Sequence, residues 1–227
     1  MKIAKKIFVY CLGLFFLALG VTFSIKSQLG ISPVNSIPYI WSLISGIEQG
    51  HLIIVVFSSF ILLQIVLLRR KFNPINLLQI VFSTIFGYFV TLTNYMFVFM
   101  SPPESYIMRL VFLFISMVLV AIGIILYLRA ALIPLPAEGC MLAINEVTGM
   151  EFHRIKSFFD TTMVVVAAAL SLLFLGGLIG VREGTIIAAV GIGKIIGVLN
   201  KIFKNQIERL DEFINGDKAI TLRSEEC

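Results

Sequence analysis

The chain has 227 residues, 18 Lys and Arg against 13 Asp and Glu, with 59% hydrophobic and only 14% charged residues. A mean hydropathy of +1.00 lies far from soluble usage, and a water-soluble fold would have almost nothing left to cover its core. The net charge of +5 sits in short clusters between apolar stretches, so no basic face is long enough to follow a phosphate backbone, and nucleic acid is excluded as a partner.

In chain order, Lys2, Lys5 and Lys6 precede an apolar run that is too long for a signal peptide and lacks a small-residue cleavage site, which reads as an uncleaved first span over 7–27. A segment over 31–46 follows, interrupted by Pro33 and Pro38. Helices are expected over 51–68, 75–99 and 106–129. A second interrupted segment, 134–147, carries Pro134 and Pro136, and helices over 154–180 and 184–204 complete the membrane part. Charge-free stretches of 17–21 residues in four of these elements, and a longer one that runs from Phe72 up to Glu104, match or exceed the roughly 20 residues that a bilayer core requires. The tail, 205–227, reads as a short cytoplasmic amphipathic helix with Ile207, Leu210 and Ile214 on one face. Cys11, Cys140 and Cys227 form no CxxC or metal spacing, so neither a disulfide framework nor a metal site is expected.

The two interrupted segments belong to a repeat. Residues 16–48 align without a gap on 119–151, at an offset of 103. Ala18 falls on Ala121, Gly20 on Gly123, Leu29 on Leu132, Pro33 on Pro136, Gly46 on Gly149 and Glu48 on Glu151, while Lys26 falls on Arg129. Interrupted hydrophobic segments at corresponding places in two halves point to a transporter's binding site.

Each short segment spans only about 20–24 Å as a helix, less than the roughly 30 Å core, so two models compete: it crosses fully, giving eight spans and parallel repeats, or it enters and returns. The positive-inside rule favours return. It puts Lys2, Lys5, Lys6, Arg69, Arg70, Lys71, Arg129, Arg154, Lys156, Lys201 and Lys204 inside and Lys26, Arg109 and Arg182 outside, 11 against 3, whereas eight full spans give 8 against 6. The expected fold is an all-α polytopic membrane protein of two inverted repeats, 1–103 and 104–204. Each repeat has three transmembrane helices and one short re-entrant segment interrupted by proline.

Charges within spans are functional candidates because they are costly there. Glu138 follows Pro136, and Asn35 holds the corresponding place after Pro33. The prolines, with Gly30 and Gly139 beside them, free backbone groups to face a cavity. Substrate-binding candidates are Asn35, Glu138, Lys194, Asp160, Arg129 and Lys26. Lys194 lies mid-span and needs a carboxylate, with Glu138 or Asp160 available; structurally, Glu138 could instead neutralise Arg129, and Asp160 could sit at the interface. Glu183 and Thr185 suit a helix start. Thr91, Thr93 and Asn94 read as polar contacts between helices. His51 and His153 lie at helix starts without a metal-ligand partner. No nucleophile–base arrangement, Walker loop or dinucleotide fingerprint occurs, so neither an enzyme nor a cofactor is expected.

KSFFDTTMVVVAAALSLLFLGGLIGVREGTIIAAVGIG, at 156–193, resembles the bacterial YczE/YyaS/YitT group of small integral membrane proteins. LGISP at 29–33 and the acidic second segment share the resemblance, whose more specific parts are Phe159–Asp160 and the Arg-Glu-Gly-Thr of 182–185. It implies a multi-pass protein of the bacterial plasma (inner) membrane, and the charge pattern puts both termini in the cytoplasm. The functional expectation is a secondary transporter or facilitator of a small polar or charged solute, working by alternating access. A non-transporting accessory or anchor protein is the alternative, followed by a passive channel. The expected partners are the lipid bilayer and one small solute of unknown identity, and the sequence admits a homo-oligomer.

Overall fold

The computed structural model describes residues 2–215; the remainder of the tail, 216–227 with Cys227, lies outside the described residues. The helices are α1 (Lys2–Ser27), α2 (Pro33–Ser45), α3 (Gln49–Leu68), α4 (Gln79–Met96), α5 (Tyr106–Ala130), α6 (Pro136–Thr148), α7 (Phe152–Leu175), α8 (Glu183–Ile202) and α9 (Lys204–Asn215). Two 3₁₀ turns, Arg69–Lys71 and Pro74–Leu78, join α3 to α4. Among the described residues no strand occurs. Six helices are long and apolar enough to cross a membrane, the composition of a multi-pass membrane protein.

The interrupted segments are helices that begin at a proline. Pro33 and Pro136 stand in the first turns of α2 and α6, where the missing N–H would have had no helical partner and the fixed φ suits a helix start. Both helices end on a left-handed glycine, Gly46 at φ 72° and Gly149 at φ 69°. Pro38 is carried inside α2. The expected helix over 154–180 stops at Leu175, because Gly176 takes φ 71°. Beyond it the Ser171 hydroxyl donates to the Gly177 carbonyl and accepts the Ile179 N–H at 2.8 Å, which folds 176–180 into a loop.

The most extensive helix seam joins α1 to α5. A Cβ on Gly13 would lie 2.9 Å from the Gly123 carbonyl, and a Cβ on Gly20 would lie 3.0 Å from the Ser116 carbonyl. The Ser116 hydroxyl donates to the Gly20 carbonyl at 2.8 Å. As the α1 position rises from 13 to 20 its neighbour falls from 123 to 116, so the two helices run antiparallel. Small residues allow this approach, and backbone proximity supplies the packing that apolar lipid does not drive. By contrast α4 runs parallel to α1: Phe82 packs on Tyr10 and Thr93 meets Thr22 at 2.8 Å.

Around this seam α3 packs on α4, α6 and α2, while α2 also packs on α7, and α8 rests on α5. The starts of α1 and α4, the ends of α3 and α5, and α9 share one end of the bundle. There Lys71 lies 3.9 Å from Glu146, Arg129 pairs with Asp211, and Lys5 stands over the Phe213 ring. At the other end Arg182 donates to the Gln28 carbonyl at 3.3 Å and Tyr95 donates to Glu48. Thr93 and Asn94 do join helices as expected, since Thr22 also donates to Asn94 at 2.8 Å and Asn94 donates to Gln49 at 3.3 Å.

Candidate functional site

A cavity of about 440 Å³ lies where the starts of α2 and α6 face α5, α7 and α8. Its apolar wall includes Leu17, Phe57, Phe86, Ile124 and Ile192, and its polar wall consists of Ser32, Asn35, Tyr127, Glu138, Lys156 and Asp160. The volume falls in the roughly 300–1,000 Å³ range of small-molecule sites, mostly apolar with a few placed polar groups. Phe57 and Phe86 stack on one another at that wall with centroids 5.9 Å apart, and both are buried.

Each polar side chain is positioned by its helix. Glu138 stands in the first turn of α6, a place favourable to a carboxylate, and one of its oxygens accepts from the Tyr127 hydroxyl at 3.0 Å. A hydrogen bond to a charged group contributes roughly 1.5–3 kcal/mol net, so Tyr127 is a main support of this carboxylate. Asp160 accepts from Lys156 one helical turn earlier on α7 at 3.0 Å, with 14% of its side chain exposed. Asn35 donates its amide to the Ser32 hydroxyl at 3.1 Å. On three of these residues one buried acceptor has no hydrogen-bond partner: Asn35 Oδ1, Glu138 Oε2 and Asp160 Oδ1.

Of the expected site residues, the cavity gathers Asn35, Glu138, Asp160 and Pro33. Asp160 therefore lines the cavity. Lys194 does not join them. It is exposed on α8, lies outside the cavity wall and makes no ion pair among the described residues, so the expected pairing with Glu138 or Asp160 is not formed. The reason is rotational: α8 turns Ala188, Ala189, Ile192 and Ile196 to the cavity, and Lys194 falls on another face. The cation that faces the carboxylates is Lys156. Arg129 is engaged by Asp211 of α9 and does not neutralise Glu138. Lys26 is partly buried near the end of α1, away from the cavity, and forms no ion pair among the described residues.

The backbone groups freed at the prolines are mostly satisfied by protein, contrary to the expectation that they face the cavity. Gln64 donates to the Pro136 carbonyl at 3.1 Å and exchanges amide hydrogen bonds with Gln79 at 2.9 and 3.3 Å. Gly139 leaves room for this pair, since a Cβ there would lie 2.6 Å from the Gln79 amide nitrogen. Tyr10 donates to the Ile133 carbonyl at 2.8 Å, and Ser24 to the Gly30 carbonyl at 2.9 Å. Gly30, at φ 118°, has the Arg182 N–H 2.9 Å from where a Cβ would stand. It lines a separate cavity of about 210 Å³ beside Arg182 and Tyr39. Thr185 accepts the Arg182 N–H at 3.3 Å and Glu183 pairs with Arg182, so both stabilise the start of α8.

Sequence reasoning missed Lys156 and Tyr127. Lys156 carried a readable signal, being placed four residues before Asp160 on one helix face, where opposite charges pair. Tyr127 carried none, because its role depends on how α5 faces α6.

The model of a family of unknown function, DUF6198, matches residues 4–201, and the chain belongs to that family. The match does not tie the chain to the YczE/YyaS/YitT group in particular. No curated protein and no solved structure matches it.

Proposed function

We propose that this member of the DUF6198 family is a secondary transporter or facilitator of a small polar or charged solute. The observation that carries the reading is the single cavity at which the first interrupted segment, with Pro33 and Asn35, meets the second, with Leu135 and Glu138. Both halves of the repeat thus contribute to one site inside an apolar bundle, the arrangement that alternating access requires.

The inverted relation of the halves is part of this proposal, and the packing supports it. The contact of Gly13 with Gly123 becomes, on shifting each partner by 103, the contact of Ser116 with Gly20, as a two-fold relation demands. Likewise α3 packs on α6 as α7 packs on α2, and α1 on α4 as α5 on α8. Re-entry of α6 fits the ion pair between Glu146 at its end and Lys71 at the end of α3, since α5 also ends there. With the basic residues of this end inside, the termini and Arg69–Lys71 are cytoplasmic.

Reconstituted protein should accumulate one component of a mixed panel of small polar solutes above empty liposomes. Glu138→Gln should reduce that uptake at least about tenfold, as loss of a charged partner in a buried site requires. Equal accumulation with and without the protein across the panel would remove the transport reading.

A further inference from the structure

The balance of donors and acceptors around the central cavity assigns a charge to what it binds. The side chains of the polar wall pair among themselves: Tyr127 donates to Glu138, Lys156 to Asp160 and the Asn35 amide to Ser32. The wall atoms with no partner at all are acceptors: Asn35 Oδ1, Glu138 Oε2 and Asp160 Oδ1, each buried. Buried polar atoms without partners are rare, and three beside one cavity mark the place of a group that donates. A carboxylate or phosphate would find donors only in the remaining capacity of Lys156 and Ser32 and would leave these three oxygens unmatched.

Charge agrees with hydrogen bonding. The lining holds two carboxylates, Glu138 and Asp160, against one ammonium, Lys156, a balance of one negative charge when all are ionised. A single positive charge on the ligand neutralises it, and a charge left unbalanced at membrane depth costs about 3 kcal/mol or more. The rest of the wall is apolar, with Leu17, Phe57 and Phe86 on it to receive the hydrocarbon part of a ligand. A bare alkali ion would use the three oxygens and leave most of a 440 Å³ cavity unfilled.

We propose that the cavity binds a small monovalent organic cation with N–H donors and an apolar body, a protonated amine or a guanidinium. The N–H groups lie toward Asn35, Glu138 and Asp160, and the apolar body lies along Leu17, Phe57 and Phe86. This rests on reading the cavity as a solute site, and it deepens that reading from solute in general to cation.

The test is thermal unfolding of the purified full chain in detergent with phenethylamine and butylguanidinium, their neutral and anionic counterparts phenethyl alcohol and phenylacetate, and sodium and potassium chloride. The amine and guanidinium should raise the unfolding temperature, and the other probes should not. Glu138→Gln and Asp160→Asn should weaken amine binding about tenfold or more, as removal of a charged hydrogen-bond partner does. Because either variant could act by harming the fold, Lys156→Gln supplies the opposite sign. It removes the competing cation and should strengthen amine binding, which damage cannot imitate. Equal stabilisation by the alcohol or phenylacetate, by alkali ions alone, no stabilisation by any amine or guanidinium, or weaker amine binding in Lys156→Gln would each overturn the cation assignment. Binding decides this inference and accumulation in liposomes decides transport, so a cation that binds without being moved leaves the first standing and removes the second.

Discussion

The two halves carry the same order of helices and close differently. Between α3 and α4 the backbones touch, since a Cβ on Gly87 would lie 2.5 Å from the Gly50 carbonyl. The seam is latched at its end by Asn94 on Gln49 and Tyr95 on Glu48. At the matching place in the second half, α7 and α8 scarcely meet. Gly197, the counterpart of Gly87, has nothing within 4 Å of an added Cβ, and neither has Gly193. His153 stands where the first half has Gly50. The cavity reaches into this gap, bounded by Phe152, Lys156 and Asp160 on α7 and by Ala189, Ile192 and Ile196 on α8. Small residues are used for contact on one side and stand idle on the other. In the transport reading the closed α3–α4 seam is the shut side of the protein and the α7–α8 gap is the open one. Alternation would bring α8 onto α7 as α4 leaves α3, and the idle glycines would then have a surface to meet.

The strongest way to break this comparison is to fill both seams. Gly87→Val puts methyl groups into the Gly50 backbone and the Ile54 side chain, with no flexible end to yield at the carbonyl. Overpacking of this kind destabilises by about 1–3 kcal/mol, and thermal unfolding in detergent should show it, with loss of monodisperse protein at the upper end. Gly197→Val meets open space and should change stability by no more than about 0.5 kcal/mol. Similar losses at both positions would mean that α7 and α8 pack in the membrane as α3 and α4 do.

A smaller effect sharpens the assignment of the open side. With Cys11, Cys140 and Cys227 replaced, Ile192→Cys lies on the cavity wall, while Ile53→Cys on α3 is fully buried. A small thiol reagent should modify the first about tenfold faster or more, since the second reacts only after α3 opens locally from its neighbours. An amine that binds the cavity should slow the first and leave the second unchanged. Equal rates would place both positions in surroundings of the same openness.

The sequence made the architecture legible because hydropathy and proline act locally. Runs without charge marked the long helices, and Pro33 and Pro136 marked the short ones, although their role is to start helices and not to break them. The end of α7 was misplaced by five residues, because an apolar run continues through Gly176 and Gly177 while the backbone turns. Within the site, Asn35 and Glu138 were legible from their matching places after two prolines, and Asp160 as a carboxylate in an apolar helix. The pairings were not legible. Whether Glu138 meets Lys194, Arg129 or Lys156 depends on the rotation of α8 and on α9 capturing Arg129, and neither is encoded in spacing along the chain.

The smallest expected effect concerns Lys194, the residue whose charge first suggested a role in the site. It directly follows Gly193, near the middle of α8, exposed and away from the cavity wall. Lys194→Met keeps the length and apolar stem of the side chain and removes only the ammonium. Because Lys156 is the cation beside Glu138 and Asp160, the change should alter amine binding by less than about twofold, the scale of an interaction between groups not in contact. Lys156→Gln and Lys194→Met thus make a matched pair on the two helices that flank the gap, each removing one positive charge at its own place. A strong gain from the first and none from the second would locate the electrostatics of the site on α7. An equal gain from both would mean that Lys194 turns inward when the protein is in a bilayer, and that α8 rotates toward α7 as the gap closes.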